Sequence, residues 1–478
     1  MRRPLTWLSW SAFLALFAAA TLTQADPDLW GHLRFGLDIL RTHALPSVDP
    51  YSFTQDVPWI NHEWLSEVTM AAGYGAFGVA GVALLKGAMA TAVFLLIWTA
   101  YRGAAFEARL GAALLAVLGC LPLVRTSRPQ LWTVVGLAVL IRALLESGRG
   151  RRWWLPVVFA AWANAHGGVV VGLAVLAAWL GAGVLQGAFG FRRAVILGAA
   201  CVLATLVTPY GWTLWRFIFQ SVRLARPNIE DWTPLWRLGP SQWAAPLVAC
   251  LATGWIGFRH DGHRWSRVAV LLLLAYAGAR VARVAPLFVE AAVLLLAPLV
   301  VARWPVRPVA IRTRGERLLV SGVAGLLVLA AIVVLATSLR CIPIDRRTLP
   351  DQAVAAALAQ ARPGRLVVFF DWGEYALWHF GPAIRVSMDG RRETVYSDRR
   401  LREHDAILAG DPEGLATLGL WQPEYVWLPA SSTATRAWLA SNGYRLEVSD
   451  AESFLAVRSD LPRLDARPAA GGPACFPQ

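Results

Sequence analysis

Over residues 1–339 the apolar residues fall in continuous blocks of about 17–25, separated by short loops that carry arginine. A block of this length can cross the hydrocarbon core of a bilayer as an α-helix, which needs about 20 residues. Strands of an outer-membrane barrel would alternate apolar and polar residues, and these blocks do not alternate. The pattern predicts an α-helical polytopic membrane protein with about eleven transmembrane helices. They lie at roughly 5–25, 79–100, 110–124, 130–146, 153–165, 168–188, 194–209, 244–258, 268–282, 284–302 and 318–339.

The composition agrees with this interpretation. Hydrophobic residues make up 56% of the 478 residues, charged residues only 16%, and the mean hydropathy is +0.48. Soluble domains average roughly 45–50% apolar and about 25% charged residues, so a soluble enzyme, a disordered chain and a small disulfide scaffold are excluded. The net charge of +14 comes from the membrane part, and no basic run is interleaved with aromatic residues in a soluble segment. The sequence therefore predicts membrane lipids as partners and no nucleic acid.

The arginines predict the orientation, because they occupy alternate short loops and the positive-inside rule places such loops in the cytoplasm. We expect a multi-pass protein of the bacterial cytoplasmic (inner) membrane, with a cytoplasmic N-terminus and a periplasmic C-terminal segment. The first apolar run could instead be a cleavable signal peptide, and the residues after Ala25 would still emerge outside. The arginines in question are Arg2, Arg3, Arg102, Arg109, Arg149, Arg151, Arg152, Arg192, Arg193, Arg259, Arg264, Arg267 and those within 303–317.

Two outward segments are long. Residues 26–78 form a large first periplasmic loop with two Asp-Pro pairs, and we assign this loop to a transmembrane domain of residues 1–339. Residues 340–478 form a periplasmic α/β domain, with a helix over 351–361, strands over 365–370, 384–388 and 424–428, and closing strands near 444–457. The tail after residue 461 is rich in Pro, Gly and Ala and is predicted to be flexible. Cys341 and Cys475 either form a disulfide in this oxidising compartment or remain two free thiols.

Polar and ionisable residues gather at the predicted outer ends of the helices. Such residues at membrane depth are expensive and are usually functional or paired. Their origin in six separate connections predicts a polar cavity at the outer leaflet that can hold a substrate. The set comprises Asp26, Asp28, His32, Asn61, His62, Glu63, Arg125, Arg128, Asn164, His166, Glu230, Asp231, Arg280 and Arg283.

The stretch from Asp26 to Arg34 is the most informative one. Pro27 suits the first position of a helix and Asp26 the position before it, so a helix parallel to the membrane surface is predicted to begin here. Asp28 and His32 are four residues apart and share a face of that helix. The simpler interpretation is that Asp26 caps the helix and Asp28 complements its dipole.

Two further motifs carry polar side chains. Asn61-His62-Glu63-Trp64 opens a second amphipathic helix, and His62 and Glu63 could act as a base or bind a metal, although neighbouring residues point in different directions. Asn164-Ala-His166-Gly-Gly lies at a break between two apolar runs, which indicates ligand contact or close backbone approach. The alternatives are an interfacial tryptophan belt at residue 64 and a structural histidine at residue 166.

Arg125 and Arg128 flank one outer turn, and Arg280 and Arg283 occupy another. The positive-inside rule disfavours arginine on this side, so each of the four needs an anionic partner. Guanidinium groups bind phosphate in a bidentate manner, and a lipid phosphate at the leaflet boundary is the obvious anion. Contact with ordinary lipid headgroups is the alternative.

These residues together resemble a known family. A polytopic protein with an Asp-Pro motif in its first outer loop and an external α/β domain resembles the GT-C superfamily of polyprenyl-phosphate-dependent membrane glycosyltransferases. Asp26-Pro27 followed by Arg34 looks like the first-loop motif of oligosaccharyltransferase catalytic subunits, and 370–375 (FDWGEY) occupies the place of their Trp-Trp-Asp-Tyr-Gly motif. Further matches to bacterial members are Asp28-Leu-Trp-Gly-His32, the Asn-x-His-Gly break, Pro209-Tyr210-Gly211 and Met388-Asp389-Gly390-Arg391.

The resemblance implies inverting transfer of a sugar from a polyprenyl-phosphate donor to a glycan, lipid or protein acceptor. It implies Asp26, Asp28 and His32 as catalytic residues and Arg125, Arg128, Arg280 and Arg283 as ligands of the donor phosphate. Substrate-binding residues would be Asn61, His62, Glu63, Asn164, His166, Trp372 and Tyr375, the last two offering aromatic faces to a sugar. A divalent metal, Mg or Mn, is a possible cofactor. The second outer loop lacks an acidic pair, however, which favours a metal-independent enzyme similar to the lipid-linked aminosugar or mannosyl transferases.

Two other functions remain open. A transporter or lipid flippase would place charged groups at the bilayer midplane, where only Glu290 and His166 are candidates. In a non-catalytic assembly or sensor protein, the external domain would bind a partner and the acidic residues would be structural. This second alternative predicts that the outer arginines lie apart from the acids beyond the first helix.

Overall fold

The computed structural model describes residues 3–146, 152–224, 229–256, 263–306, 313–344, 352–465 and 475–477. Arg2, Arg149, Arg151, Arg259, residues 307–312 and most of the tail after 461 lie outside these ranges. The chain divides into two compact units, residues 1–23 with 76–340 and residues 24–75 with 341–478. This grouping joins the first long loop to the C-terminal segment, whereas the sequence pattern assigns the loop to the membrane-spanning part.

Fourteen α-helices lie within the described part of residues 1–340. Each of the eleven apolar blocks coincides with one of them, and four are long and apolar enough to cross a membrane, namely Val79–Ala100, Phe106–Val124, Ala282–Arg303 and Arg314–Ser338. The number of membrane spans therefore stays a prediction. The helices are α1 Arg3–Thr21, α2 Asp28–Thr42, α3 Trp64–Phe77, α4 Val79–Ala100, α5 Phe106–Val124, α6 Leu131–Leu145, α7 Leu155–Ala165, α8 Val169–Leu185, α9 Phe191–Ala204, α10 Trp212–Arg223, α11 Pro240–Ile256, α12 Arg264–Arg280, α13 Ala285–Arg303 and α14 Arg314–Ser338.

One helix of the first unit, α10, is not among the predicted spans. Its sequence WTLWRFIFQSVR alternates aromatic and polar residues with helical periodicity and is therefore amphipathic rather than continuously apolar. A search for long apolar blocks cannot detect a helix of this kind. The helical period of α10, in contrast, can be detected in the sequence.

Helix α13 forms the centre of the first unit. Nearly every residue of this helix is buried, and it packs against α5, α6, α11 and α12. The approach of α5 is close, because a Cβ on Gly119 would lie 2.4 Å from the side chain of Val289. Glu290 is fully buried here, and its carboxylate has no hydrogen-bond partner among the described residues.

The chain's one lysine fixes the end of α1. Lys86 on α4 is buried, and its Nζ donates hydrogen bonds to the carbonyl oxygens of Ala20 and Leu22. The last carbonyl groups of a helix have no partner within the helix, and a buried ammonium group satisfies them here. The charge of Lys86 is thereby part of the packing of α1 on α4.

The second unit contains a mixed five-stranded sheet. Strand β1 lies between β2 and β3 and is parallel to both, while β5 pairs antiparallel with β3 and β4, giving the order β2-β1-β3-β5-β4. The predicted strands coincide with those observed. The elements are α15 Gln352–Leu358, β1 Gly364–Val368, α16 Gly373–His379, β2 Ile384–Val386, α17 Asp398–Ala409, α18 Pro412–Trp421, β3 Tyr425–Pro429, α19 Thr433–Ser441, β4 Tyr444–Ser449 and β5 Ser453–Arg458.

The first loop is built into this sheet. Ser52 forms a parallel bridge to Val386 at the edge of β2, and the amide of Phe53 donates to the Val386 carbonyl at 3.1 Å. Asp26 and Asp28 therefore belong to the same compact unit as the C-terminal sheet. Local sequence patterns could not predict this association, because the paired segments are more than 330 residues apart.

Cys341 and Cys475 form a disulfide, with Cα atoms 5.3 Å apart. The residue that follows, Phe476, is buried and packs against Trp30 at a ring-centroid distance of 5.2 Å. The carbonyl of Pro477 accepts hydrogen bonds from Trp30 Nε1 at 3.0 Å and from His379 Nε2 at 2.7 Å. The disulfide thus anchors residues 475–477, which cover α2, the first helix of the first loop.

We expect three free thiols when the unreduced, denatured protein is alkylated and weighed, corresponding to Cys120, Cys201 and Cys250. C475S should lower the free energy of unfolding by about 2–4 kcal/mol, because the disulfide closes a long loop in the unfolded chain. The matched control C250S removes a thiol that forms no disulfide and should leave stability nearly unchanged. Five alkylated thiols in the wild type would contradict the disulfide.

Candidate functional site

A buried arginine joins the first loop to the C-terminal sheet. The guanidinium of Arg391 donates two hydrogen bonds to Asp49, at 2.7 and 2.8 Å, and two to Asp389, at 2.8 and 2.7 Å. Both carboxylate side chains are completely inaccessible to solvent. The backbone amide of Tyr51 also donates to Asp49 Oδ1, and the hydroxyl of Tyr396 also donates to Asp389 Oδ2. The paired charges hold the pKa of Asp389 below its usual value even though burial alone would raise it.

Three aromatic rings of the first loop enclose the same guanidinium. Its carbon lies 4.9 Å from the ring centroid of Phe35, 5.3 Å from that of Tyr51 and 4.8 Å from that of Trp59. Cation–π attraction adds to the ion pairs at a site that excludes water. This arrangement fixes the position of helix α2, which carries Phe35.

A buried carboxylate, Glu374, lies between two glycines. Its Oε2 accepts a hydrogen bond from the amide of Gly31 at 3.1 Å, and a Cβ on Gly31 would lie 2.2 Å from that oxygen. A Cβ on Gly390 would lie 2.6 Å from Glu374 Oε1 and 2.7 Å from Asp28 Oδ1, so both carboxylates approach the same point. Burial and the charges of Asp28 and Asp389 raise the pKa of Glu374 well above its ordinary value. These surroundings therefore favour the neutral form of the Glu374 carboxyl group over its ionised form.

Helix α2 begins close to the predicted position. It starts at Asp28 with Pro27 as the capping residue, one position later than the sequence indicates. Asp26 is buried, and its Oδ1 accepts a hydrogen bond from the amide of Asp28 at 3.1 Å. The Asp28 side chain is partly exposed. Asp26 thus has the capping geometry of the simpler interpretation, whereas Asp28 lies beside Glu374.

His32, Glu63 and Glu67 form a second polar group on α2 and at the start of α3. Their potential ligand atoms lie within 4.8 Å of one another. His32 Nδ1 is 3.3 Å from Glu67 Oε1, and Asn61 Nδ2 donates to Glu67 Oε2 at 2.5 Å. Burial alone would lower the pKa of His32, but the hydrogen bond to Glu67 and the charges of Glu63, Glu67 and Asp28 outweigh it and raise the pKa to about 9.

The neighbouring residue His62 completes the surroundings of this group. Its Nε2 lies 3.5 Å from Glu63 Oε1, and the amide of Glu63 donates to Asn61 Oδ1 at 3.2 Å. The sequence motif Asn61-His62-Glu63 thus lies next to His32, as the predicted cavity requires. Within the second unit, the structure brings together Asp28, His32, Asn61, His62 and Glu63.

The two aromatic residues of the C-terminal motif have different surroundings. Tyr375 is buried in an aromatic core, 5.5 Å from the ring centroid of Trp30 and 4.2 Å from that of His379. Trp372 stacks on Trp427 at 4.9 Å and lines a cavity at the end of the sheet. Both rings are buried, and a sugar-stacking role for either of them stays a prediction.

The four outer arginines belong to the first unit. Arg283 donates to Gln130 Oε1 at 2.6 Å and lies 3.6 Å from Asp231 Oδ2. Arg280 is exposed at the last residue of α12, and Arg125 is exposed just after α5. Arg128 is partly buried in the turn before α6. Binding of a lipid phosphate by these side chains stays a prediction.

Asn164 and His166 have structural contacts in the first unit. Asn164 Nδ2 donates to the carbonyls of Ala160 and Val207, each at 2.8 Å, and so joins α7 to the segment after α9. His166 Nδ1 accepts from the amide of Gly168 at 3.0 Å and lies 2.7 Å from the hydroxyl of Thr133. These contacts stabilise the break between α7 and α8, and a substrate role for the two residues stays a prediction.

Sequence reasoning missed Glu67 and the role of Glu374. Glu67 follows Glu63 by one helical turn, so an i,i+4 search on the second amphipathic helix would have found it. Glu374 lies within the 370–375 string, and nothing local in the sequence connects it with Gly31 or Gly390. The Met388-Asp389-Gly390-Arg391 string is recognisable in the sequence, but its pairing with Asp49 is not.

E374Q should make stability less dependent on pH. Because the folded-state pKa of Glu374 lies above 4.5, the wild type loses stability as pH rises above that value, by up to about 1.4 kcal/mol per pH unit. The amide of the variant cannot ionise and can still accept the Gly31 hydrogen bond. The difference in unfolding free energy should therefore shift in favour of E374Q between pH 5 and pH 8, as measured by denaturant unfolding in detergent.

The exposed Glu413 at the start of α18 supplies the matched control. The unfolding free energy of E413Q should change with pH as that of the wild type does over the same range. If the unfolding free energies of E374Q and the wild type also change with pH in the same way, the carboxyl group of Glu374 does not have a raised pKa in the folded protein.

No protein-family model matches the sequence, and no curated protein is similar to it by sequence. Solved structures are similar in fold. ArnT from Cupriavidus metallidurans in the apo state superposes with a TM-score of 0.59 at 12% identity, covering 95% of this chain and 98% of ArnT. The same protein bound to undecaprenyl phosphate gives a TM-score of 0.53 at 12% identity, covering 95% of this chain and 97% of ArnT.

Two other membrane transferases show the same likeness. The archaeal oligosaccharyltransferase AglB from Archaeoglobus fulgidus, in complex with an inhibitory peptide and a dolichol-phosphate, gives a TM-score of 0.54 at 11% identity and covers 93% of this chain and 72% of its own. The arabinofuranosyltransferase AftD from Mycobacteria gives 0.54 at 15% identity and covers 97% of this chain but 40% of its own. At these identities the likeness concerns the fold, and this chain has the fold of the GT-C glycosyltransferases.

Proposed function

We propose that this protein is an inverting glycosyltransferase that moves a sugar from a polyprenyl-phosphate donor to an acceptor hydroxyl. One observation carries the proposal: within a GT-C fold, the partly exposed carboxylate of Asp28 lies at the first turn of α2, beside the buried Glu374. Such a transfer needs a general base in a fixed position, and a rigid helix holds the Asp28 carboxylate in one.

The proposed transfer forms one bond at C1 of the sugar and breaks another. The acceptor oxygen bonds to C1 of the sugar and loses its proton to the Asp28 carboxylate. The bond between C1 and the phosphate oxygen breaks, and its electron pair leaves with the polyprenyl phosphate. Arg125, Arg128, Arg280 and Arg283 would neutralise the charge that develops on that phosphate. His32 and His62 would orient the acceptor or the donor.

The surroundings favour Asp28 over Asp26 as the base. Asp26 is buried and accepts the hydrogen bond of the Asp28 amide, so its carboxylate is committed to the start of the helix. Burial and the neighbouring charges raise the pKa of Glu374, which reduces the charge that Glu374 places beside the Asp28 carboxylate. Two neighbouring carboxyl groups in different surroundings, one buried and one partly exposed, are a recurrent arrangement for acid and base roles.

The donor class is supported by the neighbours in fold. The ArnT structure contains undecaprenyl phosphate and the AglB structure contains a dolichol-phosphate. We therefore propose a lipid-linked sugar as donor and a glycan, lipid or protein as acceptor. We further propose a multi-pass protein of the bacterial inner membrane with the second unit in the periplasm, and the Cys341–Cys475 disulfide supports an oxidising compartment for this unit.

D28N should reduce sugar transfer by at least about 100-fold, because general-base catalysis contributes 10²–10⁴-fold. The measurement uses the full chain in proteoliposomes with a panel of radiolabelled polyprenyl-phosphate sugars and a lipid-extract acceptor mixture. D26N should act mainly through stability and lower transfer less. The exposed Asp398, at the first turn of α17, supplies the control D398N, which should retain full activity.

The same panel distinguishes the other functions. Consumption of no donor by the wild type, or unchanged products from both D26N and D28N in correctly inserted protein, would overturn the transferase proposal and favour an assembly or sensor protein. Movement of an unmodified lipid-linked sugar across the membrane would favour a transporter.

We also propose that His32, Glu63 and Glu67 hold a divalent cation. The donor set fits, since one imidazole and two carboxylates lie within 4.8 Å of one another and Asn61 orients Glu67 through a hydrogen bond. An imidazole ligand favours Mn²⁺ or Zn²⁺ over Mg²⁺, which prefers oxygen ligands. A bound cation would compensate the negative charge of the two glutamates. These three ligands include no residue of the second outer loop, so the lack of an acidic pair in that loop does not affect the cation site.

Isothermal titration of the full chain with Mn²⁺ tests the cation site without any assay of transfer. H32A and E67Q should each weaken binding by at least about tenfold. The control H43A removes an exposed imidazole at the other end of α2 and should not change the affinity. Equal binding by H32A and the wild type, or none by either, would show that these residues are only an ion-paired network.

A further inference from the structure

The sheet of the second unit contains a topological switch point. From β1 the chain passes through α16 to β2, which lies on one side of β1. It then passes through α17 and α18 to β3, which lies on the other side of β1. The connections after β1 and β3 therefore leave the sheet in opposite directions. A crevice opens at such a point beyond the carboxyl ends of the strands, and in α/β sheets it is the usual place for a ligand.

A cavity of about 570 Å³ lies at this point and is open to solvent. Its walls come from the segment after β1, the segment after β3 and the end of α17. The lining residues are Phe369, Asp371, Trp372, Asp405, Leu408, Ala409, Pro429, Ser431 and Ser432. The volume is within the range of small-molecule sites, about 300–1,000 Å³. None of these residues belongs to the group around Asp28 and Glu374.

The walls of the cavity are rigid. Trp372 is stacked between neighbours, with Trp427 at 4.9 Å and the edge of Phe369 at 5.2 Å. The amide of Phe369 continues the sheet by donating to the Trp427 carbonyl at 3.2 Å. Ser432 is buried and ends a tight turn in which its amide donates to the Pro429 carbonyl at 3.0 Å. The cavity is therefore pre-formed rather than created by a mobile loop.

The chemistry of the lining selects among ligand classes. Two aromatic rings, two serines and two carboxylates face the space, and none of the nine lining residues is Lys, Arg or His. Two carboxylates without a cation among the lining residues disfavour phosphates and nucleotides. Hydroxyl groups can donate to carboxylates and serines, and the apolar faces of sugar rings pack against aromatic side chains. Asp405 is exposed on α17 at this cavity, so its carboxylate can accept such hydrogen bonds from a ligand that enters from solvent.

We infer that this cavity binds a short saccharide bearing hydroxyl or amino groups, as a site separate from the carboxylates of the first loop. In the proposed transferase it would hold part of a glycan acceptor, and only that role rests on the proposed function. Binding of the saccharide itself depends on the cavity alone.

Saturation-transfer NMR tests the inference with the full chain in lipid nanodiscs. The probes are cellobiose, maltose and N,N′-diacetylchitobiose, with inorganic phosphate and a capped tripeptide as comparison ligands. We expect at least one disaccharide to bind the wild type and neither comparison ligand to compete with it. A409W should fill the cavity and raise the dissociation constant at least tenfold, and D405N should raise it several-fold.

Ala409 and Ala440 are both exposed and close to the C-terminal end of a helix, so A440W is the matched control and should bind as the wild type does. Thermal unfolding of the three variants checks that each is folded. The inference is overturned if no disaccharide binds, if A409W binds as tightly as the wild type, or if phosphate or the peptide binds the cavity instead. D28N should retain saccharide binding even though it loses transfer, so failure of one proposal does not imply failure of the other.

Discussion

The buried guanidinium of Arg391 is the interaction on which the second unit depends. It is paired with Asp49 from the first loop and Asp389 from the C-terminal segment, both inaccessible to solvent, and is enclosed by three aromatic rings. Removing one partner of a buried ion pair costs about 3–5 kcal/mol, because the remaining charge is left without compensation. Two segments 342 residues apart are thus held in one register by a single side chain.

That register brings several carboxylates into one region. Burial raises the pKa of Glu374, and the charges of Asp28, Asp389 and Glu67 raise it further. Gly31 and Gly390 permit this approach, since a Cβ at either position would meet the Glu374 carboxylate within 2.6 Å. Two adjacent carboxyl groups, together with a histidine and two glutamates on the neighbouring segments, are an arrangement suited to proton transfer and cation binding.

The sheet supplies a second, independent surface for ligands. Its parallel core of β1, β2 and β3 creates a switch point, whereas the antiparallel strands β4 and β5 only extend the sheet. The disulfide secures the segment that covers α2 and α16, on the side of Trp30 and His379. The second unit therefore combines a rigid acidic region on the first-loop helices with a pre-formed cavity at the end of the strands.

Local patterns in the sequence determined the apolar helices, the strand positions and the start of α2, because helix and strand periodicity and capping depend on neighbouring residues. They also identified Asp28, His32 and the Asn61-His62-Glu63 motif as chemically unusual. Only the tertiary structure decided that Asp49 pairs with Arg391, that Glu67 joins His32, and that Gly31 meets Glu374 across 343 residues. A buried charge requires compensation, but any of many acids could provide it, and which one does so depends on how the chain folds.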